Sequence, residues 1–116
     1  MKTVLIIENE QEALIPLARL IERRGIKALT AMRGQEGIKL YEENKPDGVL
    51  LDLHLPMMDG TEVLKKLKEI NPLVKVYFLT GDQIFADRNP PESIGAMGYL
   101  IKPIMPQELM KVIESF

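Results

Sequence analysis

The chain has 116 residues, enough for one hydrophobic core and too few for two domains. Apolar residues make up 46% and charged residues 28%, proportions typical of globular proteins rather than of disordered chains. The net charge of -2 disfavours a nucleic-acid-binding domain, and the absence of cysteine excludes disulfides, thiol catalysis and thiolate metal sites. Because no apolar run approaches the length of a signal-peptide core or a membrane span, we expect a soluble cytoplasmic domain with no membrane partner.

The first half of the chain alternates short apolar runs with helical patterns. Residues 4–7 form a continuous apolar run, which predicts a buried strand. Apolar residues at helical spacing follow, and Pro16 among them is expected to distort the first turns of the helix. Residues 26–31 predict a weaker strand, suited to a sheet edge. A second helix begins at Gly34 and ends before Pro46.

The second half of the chain repeats this alternation. Residues 49–53 form the second continuous apolar run, and a helix follows from Gly60. Residues 74–79 and 99–101 predict two further strands. Pro106 suits the first position of a last helix, where its missing N–H is not needed.

Residues 81–97 carry no clear periodicity, although the alternation calls for a helix there. Pro90 and Pro91 lack a backbone N–H, and each disfavours helical backbone in the residue before it. A regular helix from Ile84 to Ser93 would therefore carry a penalty of roughly 3 kcal/mol or more. We predict that the fourth helix is short or irregular.

Strands that alternate with helices predict an α/β fold, a parallel sheet with right-handed crossovers and helices on both faces. The two most apolar runs, residues 4–7 and 49–53, should be central, because strands covered on both faces need not alternate in polarity. In open sheets of this kind, ligands bind beyond the carboxyl ends of the strands. The residues at the strand ends are therefore the candidates for chemistry.

Polar residues follow four of the five predicted strands, namely Glu8 and Asn9, Asp52, Thr80, and Lys102. If the first and third strands are neighbours, their carboxylates converge on one mouth, beside a hydroxyl and an ammonium. Carboxylate oxygens suit Mg²⁺, and a lysine with a hydroxyl would contact the oxygens of a phosphoryl group. The set indicates phosphoryl transfer.

Other phosphate-binding classes lack their motifs in this chain. None of the eight glycines lies within residues 8–20, which excludes a dinucleotide-binding Gly-x-Gly-x-x-Gly and a P-loop after the first strand. A magnesium-dependent phosphatase that forms an aspartyl phosphate would carry Asp-x-Asp there, and that motif is also absent. A phosphatase of this kind is therefore the least favoured function for this chain.

Four segments in order resemble the CheY-like receiver domain of two-component response regulators. They are residues 4–10 (VLIIENE), residues 52–60 (DLHLPMMDG), Thr80-Gly81, and residues 98–103 (GYLIKP). The resemblance covers essentially the full length, residues 1–116, as one receiver domain. It implies a flavodoxin-like, doubly wound sheet of five parallel strands in the order 2-1-3-4-5.

The resemblance also implies a role for Asp52 as the phosphoacceptor. Asp52 would take a phosphoryl group from the phosphohistidine of a histidine kinase or phosphotransfer protein and later lose it by self-hydrolysis. A receiver of this kind is not a conventional enzyme. Lys102 would pair with the phosphoryl group, and its bond to Pro103 would be cis.

The resemblance implies a Mg²⁺ site made by Glu8, Asn9, Asp52 and the main-chain carbonyl of His54. Asn9 departs from the pattern, because the family usually has an aspartate there that coordinates the metal directly. An amide keeps an oxygen ligand but removes a full negative charge beside a divalent ion. We therefore expect weak Mg²⁺ binding, restored by Asn9→Asp.

Two further roles follow from the resemblance. Thr80 would move to bond the phosphoryl group, and Tyr99 would then turn inward as an aromatic switch. The side chain of His54 would line the rim of the site rather than act in catalysis. With Asp82 it occupies positions that the family associates with the lifetime of the phosphoryl group.

Two functions stay open at this point. The first is a phosphorylation switch that acts on an unknown downstream effector, as a monomer or weak dimer. The second is a receiver-like interaction module that is rarely or never phosphorylated. Asn9 favours the second function, whereas the intact Asp52, Thr80 and Lys102 favour the first.

Overall fold

The structure, a computed structural model, describes residues 1–116 and alternates five strands with helices. The strands are β1 (Thr3–Ile7), β2 (Lys27–Ala31), β3 (Gly48–Asp52), β4 (Val76–Thr80) and β5 (Gly98–Ile101). The helices are α1 (Gln11–Arg23), α2 (Gly34–Asn44), α3 (Gly60–Ile70), α4 (Gln83–Arg88) and α5 (Pro106–Glu114), with a short 3₁₀ helix at Pro91–Ile94. None of these helices has the length and apolar character needed to cross a membrane.

All five strands are parallel and lie in the order β2-β1-β3-β4-β5, which confirms the predicted topology. The two most apolar runs form β1 and β3 in the interior of the sheet, and every residue of β3 is buried. The fourth strand lies slightly later than predicted, at Val76–Thr80 rather than residues 74–79. Val74 is instead part of the turn after α3, where its N–H donates to the carbonyl of Asn71.

Helices cover both faces of the sheet and enclose two apolar cores. Alternate residues of β1 divide between them, with Leu5 in the core under α2 and α3 and Val4 in the core under α1 and α5. This division follows from the strand period of two, which sends successive side chains to opposite faces. The doubly wound α/β class is therefore as predicted.

Helix α1 runs from Gln11 to Arg23 without a break, although Pro16 lies inside it. The expected distortion of its first turns does not interrupt the helix. Leu14, Leu17 and Ile21 are buried on the inner face of α1. Burial of such side chains stabilises by about 1.5–3 kcal/mol each, which outweighs the roughly 3 kcal/mol that an internal proline costs.

Helix α4 has only six residues, and none of them is buried. It ends at Arg88, and the chain resumes a helical turn only at Pro91, in the 3₁₀ helix. The prediction of a short, irregular fourth helix is confirmed. The two prolines separate the helical segments, as their missing N–H groups require.

Candidate functional site

The carboxyl ends of the interior strands open onto a polar pocket of about 420 Å³. No apolar residue lines it; the lining residues are Glu10, Asp52, His54, Thr80, Gly81, Asp82 and Lys102. The pocket lies beside the point where the strand order reverses, between β1 and β3. Parallel α/β folds bind their ligands at such switch points.

Two buried carboxylates face one another beside this pocket. Glu8 follows β1 and is fully buried, and Asp52 ends β3 with 4% of its surface exposed. Burial is the main cause that raises the pKa of Asp52 to about 7, and the neighbouring Glu8 adds to it. Burial also opposes ionisation of Glu8, but its contacts with Asp52 and Lys102 outweigh this and lower the pKa of Glu8. Glu8 therefore holds the negative charge, and Asp52 titrates near neutrality.

Lys102 brings a positive charge to this pair from the end of β5. Its Nζ lies 2.7 Å from Glu8 Oε1 and 3.6 Å from Asp52 Oδ2. Glu8 Oε1 accepts no hydrogen bond of regular geometry, so its contact with Lys102 is one of charge. Burial opposes the ammonium form, but the carboxylates outweigh it and raise the pKa of Lys102. The Lys102–Pro103 peptide bond is cis, as the resemblance implied.

The side-chain amide of Asn9 lies between the same two carboxylates. One end of the amide is 3.1 Å from Asp52 Oδ2 and 3.3 Å from Glu8 Oε2. An amide oxygen there would face only acceptors, so the hydrogen bonding places the nitrogen at this end. Asn9 thus occupies the position between the carboxylates that a cation would also favour.

The donor set fits a hard divalent cation. Glu8 and Asp52 offer carboxylate oxygens, Asn9 has an amide oxygen, and oxygen is the ligand that Mg²⁺ prefers. Glu8 Oε1, buried and without a regular hydrogen bond, has unused acceptor capacity. Nowhere in the chain do three or more His, Cys, Asp or Glu side chains form a group that could hold a metal. A cation site at this mouth would therefore depend on Asn9.

His54 and Asp82 bridge the outer rim of the pocket. The His54 ring Nε2 lies 3.2 Å from Asp82 Oδ2, and both side chains are substantially exposed. The backbone N–H of His54 donates to Asp52 Oδ1 at 3.1 Å. Asp82 Oδ1 accepts the N–H of Phe85 at 2.9 Å, which caps α4 and is the main cause that lowers the pKa of Asp82. The His54 ring therefore lies at the rim, and its backbone contacts Asp52.

Thr80 and Tyr99 lie on adjacent strands but face different surroundings. Thr80 is buried, and its Oγ1 accepts the backbone N–H of Asp82 at 2.9 Å. Tyr99 is half-buried, and burial raises the pKa of its hydroxyl, which donates to the carbonyl of Asn89 at 2.8 Å. The Tyr99 ring also makes an edge contact with Phe85 of α4, with ring centroids 6.3 Å apart. In this structure Tyr99 contacts the fourth helix rather than the pocket.

Two residues of this region, Phe85 and Asn89, were not among the predicted site residues. An aspartate is a common N-cap residue, so Asp82 could have indicated the start of α4 and, three residues later, Phe85. The role of Asn89 left no comparable signal, because Tyr99 uses its backbone carbonyl, a group that every residue has.

Comparisons with known proteins agree with this fold. The family model of the response regulator receiver domain matches residues 4–114. The chain is 33% identical over 108 residues to the alkaline phosphatase synthesis transcriptional regulatory protein PhoP of Bacillus subtilis, which covers 93% of this chain and 45% of that protein. The chain spans about half the length of this and several other curated relatives that it matches.

Two solved structures show the same architecture. A response regulator receiver domain protein from Clostridium thermocellum superposes with a TM-score of 0.89 at 31% identity, covering 99% of this chain and 93% of that one. The receiver domain of a sensor histidine kinase from Pseudomonas aeruginosa has a TM-score of 0.88 at 22% identity, with 98% and 95% of the two chains covered. That second structure has a magnesium ion coordinated in its active-site cleft.

Proposed function

Because this chain belongs to the response regulator receiver domain family of two-component systems, we propose that its 116 residues form one receiver domain switched by phosphorylation of Asp52. One observation carries this proposal: the buried Asp52 carboxylate ends β3 opposite Glu8, with the Lys102 ammonium 3.6 Å from it. A nucleophile, an acidic partner and a cation thus meet at the mouth of the pocket. These are the components that phosphoryl transfer requires.

The proposed donor is the phosphohistidine of a histidine kinase or phosphotransfer protein. An oxygen of the Asp52 carboxylate attacks phosphorus, and a new P–O bond forms as the P–N bond breaks. The electron pair of the P–N bond returns to the imidazole nitrogen. Water later attacks the phosphorus of the acyl phosphate, which releases inorganic phosphate and restores the carboxylate. The domain changes its own state in this cycle and is not a conventional enzyme.

Glu8, Asn9, Asp52 and the main-chain carbonyl of His54 would hold Mg²⁺. Bound Mg²⁺ would supply positive charge that favours ionised Asp52 and balances the phosphoryl oxygens. We propose weak binding, since Asn9 contributes an oxygen but no charge. Lys102 already lies between the two carboxylates and would donate to an oxygen of the phosphoryl group.

The proposed switch links Thr80 to Tyr99. The Thr80 hydroxyl would donate to a phosphoryl oxygen, and its movement would disturb the bond that its Oγ1 accepts from Asp82. Because Asp82 also caps α4, this movement would reach the helix whose end Tyr99 contacts through Asn89. Tyr99 would then turn inward, and the surface around α4 would change for the effector.

We place this domain in the cytoplasm, as a monomer or weak dimer with an unknown downstream effector and no nucleic-acid or membrane contact of its own. The second candidate is a receiver-like interaction module that carries no phosphate. A specific observation favours it: no three acidic or imidazole side chains form a group that could hold a metal, and residue 9 is an asparagine where the family usually has an aspartate.

Exposure of the purified protein to acetyl phosphate, with and without Mg²⁺, tests the proposal by intact mass. We expect the mass of one phosphoryl group to be gained only with Mg²⁺, and none to be gained by Asp52→Asn. Asp59→Asn, which changes an exposed aspartate of the following loop, is the matched control and should behave as the parent. A phosphoryl gain by Asp52→Asn would disprove the site, and no gain by a folded parent would favour the interaction module.

The switch has a separate test by NMR. Thr80→Ala should still be phosphorylated, but the resonances of Tyr99 should respond less than in the parent. An equal response at Tyr99 in both proteins would rule out the coupling.

A further inference from the structure

The side-chain amide of Asn9 has N–H donors at one end and an oxygen acceptor at the other, and either end can face the space between Glu8 and Asp52. We propose that Asn9 is a two-position residue: in the metal-free protein its nitrogen bridges Glu8 and Asp52, and when Mg²⁺ binds, the amide turns over and presents its oxygen. The second half of this inference rests on the proposed Mg²⁺ site. The first half rests on the contacts of the metal-free chain.

In the metal-free protein, the other hydrogen bonds of Glu8 and Asp52 leave carboxylate oxygens free to accept from the Asn9 nitrogen. Glu8 Oε2 accepts the backbone N–H of Glu10 at 3.2 Å, and Asp52 Oδ1 accepts that of His54 at 3.1 Å. Lys102 neutralises one charge of the pair. The two N–H groups of Asn9 then reach Asp52 Oδ2 at 3.1 Å and Glu8 Oε2 at 3.3 Å. Asn9 thus gives each carboxylate a further donor where no metal is bound.

An aspartate at position 9 could not do this. When ionised it has only acceptor oxygens, and it would add a further negative charge beside Glu8 and Asp52. Such a site would repel itself unless a cation or a proton lay between the carboxylates. Asn9 therefore weakens the attraction of the site for Mg²⁺ but stabilises the arrangement of Glu8 and Asp52 when no metal is bound.

The turn itself needs no movement of the backbone. Rotation about Cβ–Cγ of asparagine is a broad, roughly two-fold torsion, and the two ends of the amide are nearly equal in size. A half-turn replaces two N–H donors by one oxygen acceptor at the same point. Mg²⁺ must break the two hydrogen bonds as it binds, which adds a second reason for weak affinity.

Three proteins test this inference: the parent, Asn9→Asp, and Asn44→Asp. Asn44 lies at the exposed end of α2, so its replacement adds the same charge away from the site and removes one bond, which its amide donates to the carbonyl of Leu40. For Asn9→Asp we expect the midpoint of thermal unfolding in EDTA to fall by roughly 3–8 °C relative to Asn44→Asp. Calorimetry should show Mg²⁺ binding to Asn9→Asp about tenfold more tightly than to the parent, equivalent to about 1.4 kcal/mol.

The side-chain amide resonances of Asn9 provide the direct readout. In EDTA both N–H protons should exchange more slowly than the amide protons of Gln35, which is exposed and makes no side-chain hydrogen bond, and saturating Mg²⁺ should remove that protection. An Asn9→Asp midpoint in EDTA equal to or above that of Asn44→Asp would overturn the inference. Asn9 protons that exchange as fast as those of Gln35, or whose exchange does not change at saturating Mg²⁺, would overturn it as well.

These experiments distinguish failure of the Asn9 inference from failure of the proposed phosphorylation of Asp52. If the Asn9 resonances behave as expected while Asp52 gains no phosphoryl group by intact mass, the inference holds and the phosphorylation proposal fails. If Asp52 is phosphorylated while the Asn9 protons show no protection in EDTA, the inference fails and the phosphorylation proposal holds.

Discussion

Two neighbouring strand–helix units, β3–α3 and β4–α4, hold their helices in different ways. Helix α3 has 11 residues and buries Val63, Leu64 and Leu67 beneath it. Helix α4 has six residues and buries none. The first unit is therefore held by several fully buried side chains, whereas α4 contributes only the partly buried Phe85 to the core and depends more on other contacts.

Hydrogen bonds at its two ends hold α4. Asp82 caps its first turn, and the side-chain Nδ2 of Asn89 donates to the carbonyl of Phe85 at its last turn. Tyr99 then donates to the carbonyl of Asn89 from the neighbouring strand. Such bonds contribute about 1 kcal/mol each, less than the roughly 1.5–3 kcal/mol of each buried side chain in α3. We therefore expect α4, which follows Thr80, to move at lower cost than α3, which follows Asp52.

The largest expected difference between the units comes from their apolar side chains. Leu67→Ala in α3 should lower the free energy of unfolding by about 2–5 kcal/mol, because it leaves a cavity in the core. Ile84→Ala in α4, where 67% of the side chain is exposed, should change it by less than about 0.5 kcal/mol. Urea unfolding measures both. Equal losses would mean that Ile84 is held as firmly as Leu67, against its exposed position in α4.

The end of β3 should also make stability depend on pH. The folded pKa of Asp52 is about 7 and its ordinary value is 3.8, so the folded protein keeps a proton that the unfolded chain releases. Stability should therefore fall as pH rises from 5 to 8, by an amount on the order of 2–3 kcal/mol. Glu8, whose pKa is lowered, titrates below this window in both states.

Urea unfolding in EDTA at pH 5 and pH 8 checks this dependence. Asp52→Asn should remove most of the decline, and Asp59→Asn should retain it. A parent that is equally stable at both pH values would show that Asp52 ionises without penalty.

Alanine substitutions at two glycines test how closely the chain after β3 and after β4 approaches the neighbouring backbone. A Cβ added to Gly60 would lie 2.5 Å from the carbonyl oxygen of Asp52 and 2.8 Å from that of Leu53, whereas one added to Gly81 meets nothing within 4 Å. Gly60→Ala should therefore cost about 1–3 kcal/mol, as overpacking does, and Gly81→Ala should be close to neutral. Thermal unfolding of the two variants decides. A harmless Gly60→Ala would contradict the close approach of α3 to β3.

Removal of the Tyr99 hydroxyl tests whether its hydrogen bond holds the end of α4. Tyr99→Phe removes the bond to Asn89 and should cost about 0.5–1.5 kcal/mol, with the largest chemical-shift changes in α4. Tyr77→Phe is the matched control, because the Tyr77 ring packs against Phe116 and its hydroxyl has no hydrogen-bond partner in the protein. If both variants unfold at the same urea concentration, the Tyr99 hydroxyl does not hold α4.

The smallest effect on global stability is expected at the helix caps. Asp82 accepts the N–H of Phe85, whereas Asp59, at the same position before α3, makes no capping bond. Asp82→Ala should speed hydrogen exchange at Phe85 and lower the midpoint of thermal unfolding by only a few degrees, as the loss of an exposed N-cap does. Asp59→Ala should leave exchange in α3 as it is. Unchanged exchange at Phe85 would show that the cap is not needed.

Most of the fold could be predicted, because its signals are local. The continuous apolar runs of β1 and β3 indicated interior strands, and both lie inside the sheet. The prolines at 90 and 91 predicted a short α4, since a missing N–H acts wherever the chain lies. Pro16 shows the limit of such reasoning, because burial of the inner face of α1 outweighs a local preference.

Much of the candidate site could also be predicted, because parallel strands bring their carboxyl ends to one edge. The alternation of elements indicated that edge, and the resemblance gave roles to Asp52, Thr80 and Lys102 that stay predictions. The sequence by itself thus determined which polar groups meet. Only the tertiary structure decided their charges and contacts: burial raises the pKa of Asp52, the Asn9 amide faces two acceptors, and Tyr99 donates to a backbone carbonyl. These properties depend on distance and solvent exclusion between segments far apart in the chain, which no local pattern encodes.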